Sequence, residues 1–311
     1  QWQKQGQTLA KQFAYLLILD LIELLKGLAS TLVDVVVPPG QEITVCGDVH
    51  GQYYDLLHIW EINGVPSVDN PYLFNGDFVD RGSFSVEVIL ALFAWKLLLP
   101  GHLHLARGNH ETQSMNRIYG FEGEVLHKYD EGLYNLMCEA FCLLPLCHVL
   151  NSGVFVVHGG LFSYDGVTLD DIRRIDRVCE PFDCGLMVDM LWSDPYPGWG
   201  RAASKRGVGV AFGQDVTENF LRTNDLQLVI RSHELCEDGY SVEHSGRLIT
   251  VFSAPNYCDQ MGNRGAFLRL DGDTLTPRPI SFCAVPHPPV RAMQYAPALP
   301  FFYSFGFGPG G

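Results

Sequence analysis

Eight side chains in five short polar clusters are of the types that hold metal ions. They are Asp48 and His50 in GDVHG, Asp77 and Asp80 in NGDFVDRG, Asn109 and His110 in RGNHE, His158 in HGG and His233 in RSHE. Each cluster ends a short apolar run, and glycine stands beside most of the candidates, where it lets the backbone turn sharply and approach a ligand closely. Taken singly, each has a plain structural use, since a loop aspartate often caps a helix and a histidine beside a strand usually packs. Taken together, metal-ligand types at one strand end after another point to a metal centre. His58, His102, His104, His127, His148, His244 and His287 lack that setting and are read as structural.

His50, His158, His233, Asp48, Asp77 and Asn109 supply nitrogen and oxygen donors without thiolate. That set suits manganese, iron or zinc better than calcium, and it argues against a structural zinc site. Six ligands are too many for one catalytic ion that must also bind water and substrate; shared between two, they leave open positions on both. Asp77 is the natural bridge, because one carboxylate can meet an ion through each oxygen. Two ions roughly 3.5–4 Å apart clamp the attacking and leaving oxygens of an in-line displacement, and bring the pKa of bound water from about 15.7 to about 7. Phosphate monoesters need accelerations up to ~10²¹-fold, and a single general acid supplies only about 10²–10⁴. The metals must carry much of the rest.

The elements that position these residues follow from the pattern. ITVC, YLF, HLHLA, VFVV, LQLVI and LITVF read as strands, with helical stretches between several of them, as at 85–99 and 132–143. Alternating strands and helices with working residues in strand-end loops imply an α/β domain. Leu17, Leu21, Leu24, Leu25, Leu28 and Leu32 form a helical stripe, with Asp20, Glu23 and Lys26 opposite. Pro38-Pro39-Gly40 then breaks the chain before the first expected strand. Residues 1–37 are expected to be a helical segment packed on the core, 38–295 one catalytic domain, and 296–311 a flexible tail. The tail's FFYSFGFGPGG also suits an aromatic segment that docks into a groove.

Composition narrows the function classes. With 21 basic and 35 acidic residues the formal net charge is −14, which argues against bulk binding to nucleic acid or anionic membrane. The apolar run at 13–19 is too short to span a bilayer. Nine cysteines include no CxxC, and their apolar settings suit a reducing cytoplasmic or nuclear compartment. The chain starts at Gln1, which suggests sequence missing upstream.

The blocks GDVHG, GDFVDRG, RGNHE, HGG, LWSDP, SKRG, RSHE and SAPNYCDQMGN resemble, in order and over roughly residues 8–295, the phosphoprotein phosphatase family of serine/threonine phosphatases. GDxHG alone fits any metallophosphoesterase, nucleases and nucleotidases included; LWSDP and SAPNY narrow the likeness to protein phosphatases. NGDFVDRGSFSVEVIL, NHETQSMNRIYGFEGEV and AVPHPPVRAMQYA look most like the catalytic domain of the family's type 5 branch. The expected fold is α/β, a metallophosphoesterase-type central two-sheet β-sandwich flanked by helices (α/β/β/α), with the metal site at one edge.

The resemblance implies one metal on Asp48, His50 and Asp77, and another on Asp77, Asn109, His158 and His233. His110 would be the general acid, oriented by Asp80. Arg81 and Arg206 would grip phosphate oxygens, which suits the planar guanidinium fork, and Tyr257 would line the site; Asn109 and His110 also face the substrate. Hydrolysis of phosphoserine and phosphothreonine would proceed by direct attack of a metal-bridging hydroxide, without a phosphoenzyme. Type 5 enzymes bind Hsp90 through an N-terminal tetratricopeptide-repeat domain, and no 34-residue repeat is visible here. Ala106 replaces a larger aliphatic residue common in the family, and the tail after Ala296 departs from the type 5 pattern of an autoinhibitory C-terminal helix.

Overall fold

The strand Glu42–Cys46 sends Ile43 and Val45 to one side and Cys46 to the other, as the two-residue period of a strand requires. Ile43 and Val45 meet Val154, Val156, Leu228, Ile230, Ile249 and Val251 of a second sheet, in a dry layer built from both sheets. Cys46, Tyr72 and Phe74 face outward into a helical layer, and Phe155, Val157 and Val229 do the same on the far side. Strands covered on both faces read as near-continuous apolar runs. A computed structural model describes residues 8–27 and 30–297, and it has the α/β/β/α layering expected from the sequence.

One sheet has six strands in the order Leu32–Val35, Cys147–Leu150, Val154–Val157, Leu228–Arg231, Leu248–Val251, Tyr240–Glu243. The other has five, in the order Pro277–Phe282, Gly265–Asp271, Glu42–Cys46, Tyr72–Phe74, Leu103–Leu105. Glu42–Cys46, Tyr72–Phe74 and Leu103–Leu105 run parallel, as do Val154–Val157, Leu228–Arg231 and Leu248–Val251. Six strands therefore deliver their C-terminal ends in two parallel sets. A bridge between Asp48 and Phe252, and a hydrogen bond from Ser253 N to Asp48 O (3.1 Å), tie the sets together at one edge. A small third sheet, Asp194–Pro195, Val210–Phe212 and Arg201–Ala203, lies beyond the two expected.

The N-terminal segment differs from expectation. Its helix, Lys11–Lys26, stops at Gly27, and Leu32 opens a strand that pairs in parallel with Cys147–Leu150. Residues 1–37 are thus not wholly helical, and the first strand precedes the Pro-Pro-Gly break. The buried face is Ala14, Ile18, Leu21, Ile22 and Leu25, rotated from the leucine stripe because Ala14 and Ile18 pack while Leu17 and Leu24 are only partly covered. The β-branched run Val35-Val36-Val37 favours extended backbone. Leu28 and the tail FFYSFGFGPGG lie outside the described residues.

Candidate metal centre

Close approach of the loops depends on two glycines. A Cβ at Gly76 (φ +88°) would meet Gly108 Cα at 2.6 Å and His158 Nδ1 at 2.9 Å, and one at Gly108 would run into the Asp77 carboxylate. The loops after Tyr72–Phe74 and Leu103–Leu105 can therefore lie against each other. His50, Asp77, Asp80, Arg81 and His233 have positive φ, from 44° to 70°, without being glycine. Backbone strain of that kind gathers at functional sites.

Asp77 stands at the centre. Its Oδ2 lies 3.4 Å from His50 Nε2 and its Oδ1 3.4 Å from His158 Nε2. His50 Nε2 is also 3.5 Å from Asp48 Oδ2, and His158 Nε2 is 3.0 Å from Asn109 Oδ1 and 3.2 Å from His233 Nδ1. The other imidazole nitrogens are committed: His50 Nδ1 donates to Val79 O (2.9 Å) and His158 Nδ1 to Asn75 O (2.8 Å). A carbonyl can only accept, so each Nδ1 carries the hydrogen. In the neutral ring each Nε2 then aims a lone pair at carboxylate or amide oxygens. Lone pairs converging on one point are the arrangement a cation requires. Side chains of ligand type gather in two groups, His50–Asp77–His110 and Asp77–His158–His233, every member buried.

The charge balance agrees. Burial alone would raise Asp77, but His158 and His110 hold it well below the usual carboxylate range. Burial works against protonating His158, yet Asp77 outweighs it and pushes the imidazole up to about 9. Burial and then Arg206 hold His233 far below its ordinary value. Without a cation, protonating His158 offsets part of the buried negative charge; a divalent ion would offset more. The residues present therefore fit divalent metal ions.

His110 lies beside this pair. Its Nδ1 is 2.8 Å from Asp80 Oδ2, leaving Nε2 toward the donor group, and its ring is 4.7 Å from that of His50. Asp80 is fully buried and also accepts from Phe121 N (2.9 Å) and Asn116 Nδ2 (3.2 Å). Tyr257 is 5.2 Å from the His50 ring. Arg206 is gripped by Asp194 through Nε (2.6 Å) and Nη2 (3.1 Å), and that Nη2 reaches His233 O at 3.1 Å. The Arg81 guanidinium lies 3.8 Å from the Tyr119 ring. The eight candidates of the five clusters come together, with Tyr257 and Arg206 in contact with them; Arg81 follows Asp80 on the same turn.

Sequence reasoning passed over Glu111. Its carboxylate, fully buried, accepts from Asp77 N, Phe78 N and Gly108 N, each at 2.8 Å, and so joins the two ligand loops. Burial, and then the nearby Asp77, push it up to about 7. Asp194 was also missed: it sits in LWSDP and orients both Arg206 and Arg231. Both residues lie inside blocks already singled out, so position in a block was the available signal. Glu111→Gln, which replaces one accepting oxygen by a donor, should weaken metal affinity by about 10–100-fold, read by competition with a chelating dye. It should also cost on the order of 2 kcal/mol in denaturant unfolding.

The family model for calcineurin-like phosphoesterases matches residues 42–237. The chain belongs to that family and, within it, to the phosphoprotein phosphatases. It is 63% identical over 293 residues to serine/threonine-protein phosphatase 5 of Solanum lycopersicum, covering 94% of this chain and 52% of that protein. The human protein of the same name is 58% identical over 299 residues, covering 96% and 60%. A solved serine/threonine phosphatase from Saccharomyces cerevisiae, described as similar to human PP5, superimposes with a TM-score of 0.90 at 40% identity, covering 94% of this chain and 95% of that one. The chain spans about half the length of curated relatives it matches.

Proposed function

We propose that this chain is a metal-dependent phosphatase that hydrolyses phosphoserine and phosphothreonine in proteins. The observation that carries the reading is Asp77, whose two oxygens face separate donor groups. Asp48, His50 and Asp77 would hold one divalent cation, and Asp77, Asn109, His158 and His233 another; manganese is the expected ion in vitro, with iron or zinc possible natively. Such a pair supplies positive charge to phosphate oxygens and lowers the pKa of water. Arg206, held by Asp194 and His233 O through Nε and Nη2, keeps Nη1 for a phosphate oxygen, and Arg81, laid on Tyr119, brings its guanidinium to the same phosphate. His110, steered by Asp80, gives its Nε2 proton to the departing serine or threonine oxygen. Tyr257 stays protonated, because burial pushes its hydroxyl far up, and lines the site beside His50.

Chelation should abolish turnover of a phosphopeptide, and added manganese should restore it with two equivalents bound by elemental analysis. Activity that survives metal removal would overturn the proposal, and preference for a nucleotide over the phosphopeptide would assign the site to another phosphoesterase class. Phosphoproteins are the proposed partners, in the cytoplasm and nucleus. Hsp90 is proposed as a further partner through a tetratricopeptide-repeat domain outside this chain, in keeping with the share of its relatives that this chain does not cover.

A further inference from the structure

The layer between the two sheets is built mainly from Val, Ile and Leu. Toward one edge the register places His104 opposite Leu73, and His148 opposite Val156. Leu73 and Val156 belong to that layer, and directly paired residues point to the same face. One imidazole therefore enters from each sheet. The rings are 5.6 Å apart and nearly perpendicular. Both residues are buried, yet His104 Nε2 and His148 Nδ1 have no hydrogen-bond partner among the described residues. Native structures leave few such atoms, and each calls for a cause.

Lys96 joins them from the helix Ser85–Leu98. It is 5% exposed, and its Nζ donates to Pro100 O (2.7 Å) and Leu103 O (2.9 Å), which occupies two of three hydrogens. Among the described residues no carboxylate pairs with it, although buried charges are ordinarily paired. Burial draws its amine down to about 8. Burial and the Lys96 charge draw His104 down to about 3. The three side chains line one cavity of about 270 Å³, together with Leu25, Val33 and Leu105. Asp34 is also in its wall, but that carboxylate is largely in solvent and bound to Arg173 at 3.0 and 3.1 Å.

We propose that this cavity is a binding site for a small organic carboxylate, which supplies the counter-charge Lys96 lacks. One oxygen accepts the third Lys96 hydrogen, the other faces the His104–His148 pair, and the apolar body rests on Leu25, Val33 and Leu105. A singly charged head suits the apolar walls better than a dianion, whose desolvation costs more. Water could bridge the same atoms, but it would leave the ammonium unbalanced.

The test uses the metal-loaded full chain and butyrate as the probe, with chloride at matched ionic strength as the control. Butyrate should give a saturable rise in melting temperature, and Lys96→Met should weaken its affinity by roughly 10–100-fold, the worth of a charged hydrogen bond. Should that variant not fold, NMR titration of the Lys96 amine decides the matter: saturating butyrate should move its midpoint upward. No saturable response, an equal response in Lys96→Met, an equal effect of chloride, or an unmoved lysine midpoint would each overturn the proposal.

Discussion

Replacing Asp77 with Asn should empty both metal positions at micromolar metal and remove at least about 10³-fold of the activity. The magnitude follows from two facts: the metals' stabilisation of transition-state charge is worth several kcal/mol, and each 1.36 kcal/mol is tenfold in rate. Asparagine keeps the size of the side chain but turns one oxygen into an NH₂ group. That group would face His50 Nε2 or His158 Nε2 across the 3.4 Å gaps that now point oxygen at nitrogen. The negative charge that both donor groups share is lost at the same time. Oδ1 also accepts from His110 N at 2.9 Å, so the two loops lose a tie. Elemental analysis after gel filtration is the measurement. Two ions retained with normal turnover would remove the bridge from the account.

His110→Asn should leave metal content unchanged and lower kcat by about 10²–10⁴-fold, the usual worth of a general acid. The link from His110 to Asp77 runs through its backbone N–H, which the substitution keeps. What disappears is an imidazole whose Nδ1 is held at 2.8 Å by a fully buried carboxylate. With that nitrogen fixed, the proton on Nε2 is aimed at one place. Burial draws this imidazole below its ordinary value, while Asp77 and then Asp80 pull the other way and favour the protonated ring that the acid role requires. The defect should shrink with an aryl phosphate, whose leaving group needs little protonation. An equal loss with both substrates would argue against the acid role.

Much of this arrangement was legible in the sequence because it rests on local signals. Each apolar run that ends in Gly, Asp or His is a strand end, and parallel strands bring those ends to one edge. Leu32 was misassigned because a helical period, continued through leucines alone, ignores the helix end at Gly27 and the valine run beyond it. The third sheet was missed because strands of two or three residues, such as Asp194–Pro195 and Arg201–Ala203, leave no periodicity to read. Glu111 and Asp194 act through partners 34 and 12 residues away, Asp77 and Arg206. No spacing rule carries that information.

The positive φ angles at His50, Asp77, Asp80, Arg81 and His233 have a consequence for evolution. Each sets a side chain that glycine would spare about 1–2 kcal/mol of steric conflict. A descendant that took that relief at Asp77 or Asp80 would leave His110 N or Phe121 N without its carboxylate acceptor, and it would be inert.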